Sequence, residues 1–150
     1  MRVLLDTNIL TRLAQKRHPH HRVAQEAVLK LEDGGDELCL VPQVIYEYWV
    51  VATRPLTSNG LGMSTSDVDG AIDHWLDVFT LLRDERNVFK PWRELVRQHD
   101  VKGKRAHAAR LVAAMLRHEL SELLTFNDGD VTRFSGIAVV TPEDVIRERR

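Results

Sequence analysis

Val3-Leu4-Leu5-Asp6-Thr7-Asn8 is the stretch on which the reading of the chain turns. Three apolar residues in a row mark a short strand buried on both faces, as the strands of parallel sheets are, and the run breaks off at a polar triplet. In open parallel sheets ligands bind outside the carboxyl ends of the strands, so Asp6 falls where chemistry is done. An ordinary use for the same residue is to cap a following helical turn.

Outward from there, strand and helix patterns alternate. Val23, Ala27, Val28 and Leu31 recur at helical spacing, which predicts a helix over residues 21–31 that Asp33-Gly34-Gly35 stops. Residues 38–41 predict a second strand, and Pro42 suits the first position of a helix running to Ala52. Residues 56–66 hold two Gly with several Ser and Thr and no period, a surface loop. Ser66 and Asp67 then read as the cap of a helix bearing Val68, Ile72, Trp75, Leu76 and Phe79, and Pro91 opens another with Leu95 and Val96. After Lys102-Gly103-Lys104-Arg105 comes a helix with Ala109, Val112, Ala113 and Leu116, followed by strands at 122–124 and 137–140. The alternation predicts an α/β fold, a central parallel sheet flanked by helices. At 150 residues, 43% hydrophobic and 29% charged, the chain suits one domain over residues 1–150. Arg147-Glu148-Arg149-Arg150 reads as a solvated tail.

Composition narrows the function classes. The formal net charge of −1 demands no polyanionic partner, so any nucleic-acid contact rests on local basic clusters. No apolar run approaches bilayer-spanning length, and Asp6 and Asn8 interrupt the first apolar run before a signal-peptide core develops, so no membrane role and a cytoplasmic location are expected. Cys39, alone and between two leucines, reads as core filling. His18, His20 and His21 surround Pro19 with no zinc-ligand spacing and read as a surface turn. Trp49, Trp75 and Trp92 each lie in an amphipathic segment, which favours core or dimer interface over base stacking.

Carboxylates carry the chemistry. Glu47 has Val44, Val50 and Val51 as helical neighbours and so shares a face expected to be buried, where a charge costs on the order of a few kcal/mol unless a cation, a metal or a proton compensates it. The alternatives are an Arg or Lys partner and a metal ion. Thr125-Phe126-Asn127-Asp128-Gly129-Asp130 follows the 122–124 strand and lies at another strand end; Asp128-Gly129 is also a common turn pair. Three carboxylates drawn together from separate strand ends would repel one another without a cation between them. Mg²⁺ or Mn²⁺ fits, since these ions take oxygen ligands, keep several waters and accept phosphate oxygens. Two basic clusters, Arg12-Lys16-Arg17 and Lys102-Lys104-Arg105, flank such a centre and could hold phosphates, although basic side chains at helix ends are commonly only solvated.

Strand-Asp6-Thr7-Asn8, the helix start Pro42-Gln43-Val44-Ile45-Tyr46-Glu47, Gly103-Lys104-Arg105-Ala106-His107 followed by Ala109-Arg110-Leu111-Val112-Ala113-Ala114-Met115, and Leu124-Thr125-Phe126-Asn127 with Asp130 together resemble the PIN-domain family, most of all its VapC-type toxins. The resemblance covers nearly the whole chain in order. It implies a PIN-like fold, a metal-dependent endoribonuclease acting on RNA with Mg²⁺ or Mn²⁺, frequent homodimers, and a cognate VapB-like antitoxin. It implies Asp6, Glu47 and Asp130 as metal ligands and catalytic residues. Thr7, Asn8 and Asn127 support them, and Asp128 is a second acidic residue nearby. Arg12, Lys102, Lys104 and Arg105 are the candidate RNA contacts.

One position departs from the pattern. In such sequences the residue after the matching His is Asp, the family's third acidic ligand, and here it is Ala108. Catalysis by this chain is therefore expected to be impaired. The other acidic positions still match, which fits an engineered substitution, made because an active toxin harms its expression host, better than a naturally inactive descendant. A second class of function is an inactive module that keeps antitoxin or RNA contacts. A third, a phosphotransferase with an aspartyl nucleophile at the first strand, needs another Asp two residues on, where this chain has Asn8.

Overall fold

β1 (Arg2–Leu5) is the central strand of a five-stranded parallel sheet. Its three apolar residues, Val3, Leu4 and Leu5, have no solvent exposure, as a strand covered on both faces requires. The computed structural model describes residues 1–131 and 134–148, apart from the side chain of Asp130. Along the chain, α1 (Thr7–Ala14) and α2 (His21–Asp33) lead to β2 (Glu37–Leu40), then α3 (Pro42–Thr53), α4 (Thr65–Val78) and β3 (Thr80–Leu81). α5 (Phe89–Gln98), α6 (Arg105–Arg117), β4 (Glu122–Leu124), β5 (Ala138–Val140) and α7 (Pro142–Glu148) complete the described elements. The strand order is β3-β2-β1-β4-β5, with Val3 beside Leu38 on one flank and Glu122 on the other. α2 packs on α1 and α7, α3 on α1 and α4, and α5 on α6. The α/β fold with a parallel sheet flanked by helices is as the sequence predicts.

Several boundaries differ, each for a local reason. α4 is capped by Ser64 rather than Ser66 and Asp67: the Ser64 hydroxyl accepts from the Asp67 N–H at 3.1 Å, the three-residue reach of an N-cap. α5 starts at Phe89, with Pro91 inside its first turn, where a missing N–H has no helical partner to lose. β3 is a two-residue edge strand, too short to show alternation. α7 replaces the predicted solvated tail up to Glu148, while residues 149 and 150 lie outside the described residues. Its signal was present in Thr141-Pro142-Glu143-Asp144. The Thr141 hydroxyl accepts from the Asp144 N–H at 3.2 Å and the Asp144 carboxylate accepts from the Thr141 N–H at 3.1 Å, a reciprocal capping box. Those bonds hold the Asp144 carboxyl below its usual range.

The core continues through the helices. Cys39 is fully buried, as expected, and burial pushes its thiol up. Tyr48 is the largest fully buried side chain; its ring meets Trp75 edge-on at 4.6 Å, and its hydroxyl lies 3.7 Å from the Met63 sulfur. Burial pushes this phenol from 10.0 up to about 12, because a charged phenolate there would be stripped of water. The folded state thus favours the neutral form. Its contribution to stability is intact below pH 10.0 and is lost as pH rises through about 12. In a thermal melt series across that window, Tyr48→Phe should lose Tm less steeply than the parent chain; parallel slopes would exclude the phenol as the titrating group.

Candidate active site

Asp6 is the first residue beyond β1, and its N–H donates to the Leu124 carbonyl at 3.0 Å, extending the pairing of β1 with β4. Its carboxylate does cap α1, accepting from the Thr7 N–H at 2.7 Å through Oδ1. Oδ2 accepts from the Thr125 hydroxyl at 2.8 Å. Capping therefore aims the carboxylate and does not exclude a role in binding. Thr125, with no solvent exposure, also accepts from Asn8 Nδ2 at 2.9 Å and from the Asn127 N–H at 3.0 Å. The Phe126 N–H donates to Asn8 Oδ1 at 3.0 Å, so the turns leaving the two neighbouring strands are laced together.

Glu47 arrives from α3. Its Oε2 accepts from the Thr7 hydroxyl at 2.9 Å and its Oε1 from Gln43 Nε2 at 2.9 Å. Thr7 thus joins the first acidic residue, through its backbone, to the second, through its side chain. The buried Gln43 also donates to the His107 carbonyl at 2.8 Å and accepts from Arg110 Nη1 at 2.7 Å, tying α3 to α6. The expected burial of Glu47 needs correction. Val44 is buried, but Val50 is 56% exposed and Val51, which lines the cavity described below, is half-buried. Glu47 is half-buried at the edge of the core, and among the described residues no Lys or Arg pairs with it.

Both carboxylates line one cavity of about 440 Å³, together with Thr7, Asn8, Ala108 and Asn127. Arg12, Arg54, Lys104 and Arg105 also line it, so an acidic centre is ringed by cations. Of the expected basic residues, Lys102 does not line the cavity; it is exposed and pairs with Asp100 at 3.6 Å. Lys16 and Arg17 are exposed outside it as well. Asp128 is exposed in a short 3-10 turn, Asp128–Asp130, and is not part of the lining. The side chain of Asp130 lies outside the described residues, and the turn that carries it is flanked by Asn127 and Val131, which do line the cavity. Trp92 is half-buried and Trp49 36% exposed, while Trp75 belongs to the core.

Sequence reasoning missed Arg54, and it assigned no separate role to Gln43, Thr125, His107 or Arg110 although they lie within the quoted motifs. Gln43 was findable four residues before Glu47, on the same helical face. Thr125 was findable as the first residue after a strand that neighbours β1.

Asp6 and Glu47 supply hard oxygen donors, the kind Mg²⁺ and Mn²⁺ take, and one or two carboxylates with phosphate oxygens can satisfy such an ion. The fit is one of donor type. Among the described residues no group of three His, Cys, Asp or Glu stands ready to hold a metal, and the Ala108 methyl in the cavity wall supplies no ligand.

A parallel α/β sheet with two carboxylates lining a cavity beyond the carboxyl end of its central strand defines a domain with an acidic cleft where such folds bind ligands. The PIN domain family model matches residues 3–139, and the chain belongs to that family. Among solved structures it is similar to a toxin–antitoxin complex from Klebsiella pneumoniae, at 24% identity and a TM-score of 0.65, covering 93% of this chain and 97% of that one. It is similar to VapBC2 from Rickettsia felis bound to a DNA fragment from their promoter, at 14% identity and a TM-score of 0.67, with 94% and 98% covered. It is also similar to Mycobacterium tuberculosis VapC20, described as a sarcin-ricin loop cleaving toxin, at 15% identity and a TM-score of 0.65, with 87% and 94% covered. At these identities the likeness is one of fold. No curated protein matches the chain.

Thr125→Val removes one donor and one acceptor that together serve three partners in a buried setting. A loss of about 1–3 kcal/mol in denaturant unfolding is expected; an unchanged midpoint would mean that water replaces the hydroxyl without cost.

Proposed function

We propose that this chain is a VapC-type toxin, a metal-dependent endoribonuclease of a VapBC-type toxin–antitoxin pair, impaired by Ala108. The observation that carries this reading is the meeting of Asp6 and Glu47 through Thr7 inside a cavity ringed by cations. Asp6, Glu47 and Asp130 would hold Mg²⁺ or Mn²⁺ as the catalytic carboxylates. The chemistry such an ion supplies when bound is activation of water for attack on phosphorus and stabilisation of the departing oxygen. Thr7 and Gln43 fix both oxygens of Glu47, while Asn8 and Thr125 fix the turn that carries Asn127. Asn127 orients the Asp130 turn, and Asp128 is a further acidic residue at its start. Arg12, Lys104 and Arg105 take phosphates of the RNA backbone, as does Arg54, with Lys102 farther out.

Residues 1–150 form a single PIN domain acting in the cytoplasm; among the described residues no helix is long and apolar enough to cross a membrane. A VapB-like antitoxin is the expected partner, in line with the complexes from Klebsiella and Rickettsia. A homodimer would cover the exposed apolar side of α3, where Tyr46 is 59%, Trp49 36% and Val50 56% exposed.

Ala108 supports a second reading, an inactive PIN module that binds antitoxin or RNA. The residue stands in the first turn of α6, where the helix dipole favours a carboxylate, so its methyl group forgoes both a ligand and a favourable charge. Ala108→Asp should raise Mg²⁺- or Mn²⁺-dependent cleavage of a mixed RNA pool at least about tenfold, roughly 1.4 kcal/mol of barrier, and adding Asp6→Asn should abolish the gain. A restored chain that stays inert across RNAs and metals would hand the lead to the binding module.

A further inference from the structure

We propose that the cleft between the Arg86–Val88 turn and α5 is a pocket for one unpaired base of a single-stranded RNA, separated from the acidic cavity by the first turns of α6. The proposal rests on the RNA reading above and adds a subsite to it.

The cleft measures about 340 Å³ and is lined by Glu85, Arg86, Val88, Phe89, Trp92 and Arg110. Two aromatic rings stand in its wall. Phe89 is 65% exposed, and its ring centroid lies 6.0 Å from that of Trp92 at a tilt of 34°. Trp92 is anchored, because its indole N–H donates to the Ala106 carbonyl at 2.8 Å. No side chain of α5 is fully buried, so the exposed ring of Phe89 is not held by a core.

Charge selects the occupant. Asp84 is within 3.7 Å of Arg110 and Glu85 within 3.7 Å of Arg117, so the two carboxylates beside the cleft have basic partners. Arg86 lines the cleft and Lys90 and Arg93 follow on α5; all three are exposed, and among the described residues none forms an ion pair, so that with the exposed Glu94 beside them they leave a net positive charge of two. Aromatic faces next to uncompensated cations suit a nucleobase followed by its phosphate; duplex RNA keeps its bases stacked inside and presents none to such a cleft. An apolar peptide would use the rings and leave the cations idle.

Position links the cleft to the chemistry. Arg110 lines it and donates to Gln43, the residue that holds Glu47. Ala106, which anchors Trp92, is two residues from Ala108 in the wall of the acidic cavity. A strand crossing the first turns of α6 would reach both.

The test measures fluorescence anisotropy of the full chain with fluorescein-labelled single-stranded oligoadenylate and oligouridylate, and with a blunt RNA hairpin, in chelator so that binding is read without cleavage. Phe89→Ala should weaken single-strand binding about tenfold while hairpin binding is unchanged, and Phe89→Trp should restore it. Ultraviolet cross-linking of the parent should map to Phe89 or Trp92. Equal single-strand affinity for parent and Phe89→Ala overturns the subsite and leaves the RNA reading standing. Equal weakening on strand and hairpin, or a fall from dimer to monomer on Phe89→Ala, overturns it in favour of general charge or of a second copy of the chain. A parent that binds none of these RNAs overturns the RNA reading together with the subsite.

Discussion

The Thr125 hydroxyl, shut off from water, donates to Asp6 while accepting from Asn8 and from the Asn127 amide. A buried hydroxyl is costly unless satisfied, and this one is satisfied only when the turns after β1 and β4 adopt a single mutual arrangement. The parallel pairing that sets Leu5 beside Leu124 delivers both turns to the same end of the sheet. Sheet register and site geometry are thus one constraint. A slip of one residue would place Asp6 on the wrong side and bury a polar residue of the triplet in its stead.

From that joint the order spreads to the helices. Thr7 offers its N–H to Asp6 and its hydroxyl to Glu47, so one residue at the start of α1 fixes two carboxylates. Gln43 carries the connection on to α6 through the His107 carbonyl and Arg110. The described partners of Glu47 are neutral donors, so its negative charge is oriented and not cancelled by an ion pair. Negative charge held in place within a ring of Arg and Lys suits a small cation at the centre and a polyanion around it.

Much of this was legible in the sequence because the deciding signals are local. An unbroken apolar triplet ending in Asp6-Thr7-Asn8, a Pro at the head of α3 and the alternation of strand and helix patterns sufficed for the parallel fold. Asp6 and Glu47, which line the cavity, stood out in the sequence because a carboxylate at a strand end and another beside valines both call for an explanation. What was hidden is either short or nonlocal. β3 has two residues, α7 announces itself only through a cap, and the exposure of Val50 is set by tertiary packing that the helical pattern of α3 does not reveal. Gln43 and Thr125 look ordinary in sequence, since their importance comes from partners 64 and 119 residues away. Lys102 and Asp128 sit beside site residues in the chain yet point to solvent, a reminder that nearness in sequence does not place a side chain in a cavity.

The central claim is that Asp6 and Glu47 together form the cation site of this cavity, and its most direct test is a Mn²⁺ titration followed by the electron paramagnetic resonance of the free ion. The expected result is weak, saturable binding by the chain as it stands, lost in the Asp6→Asn, Glu47→Gln double variant while the fold persists by circular dichroism. Binding undiminished in that variant, or no saturable binding in the parent, would contradict it.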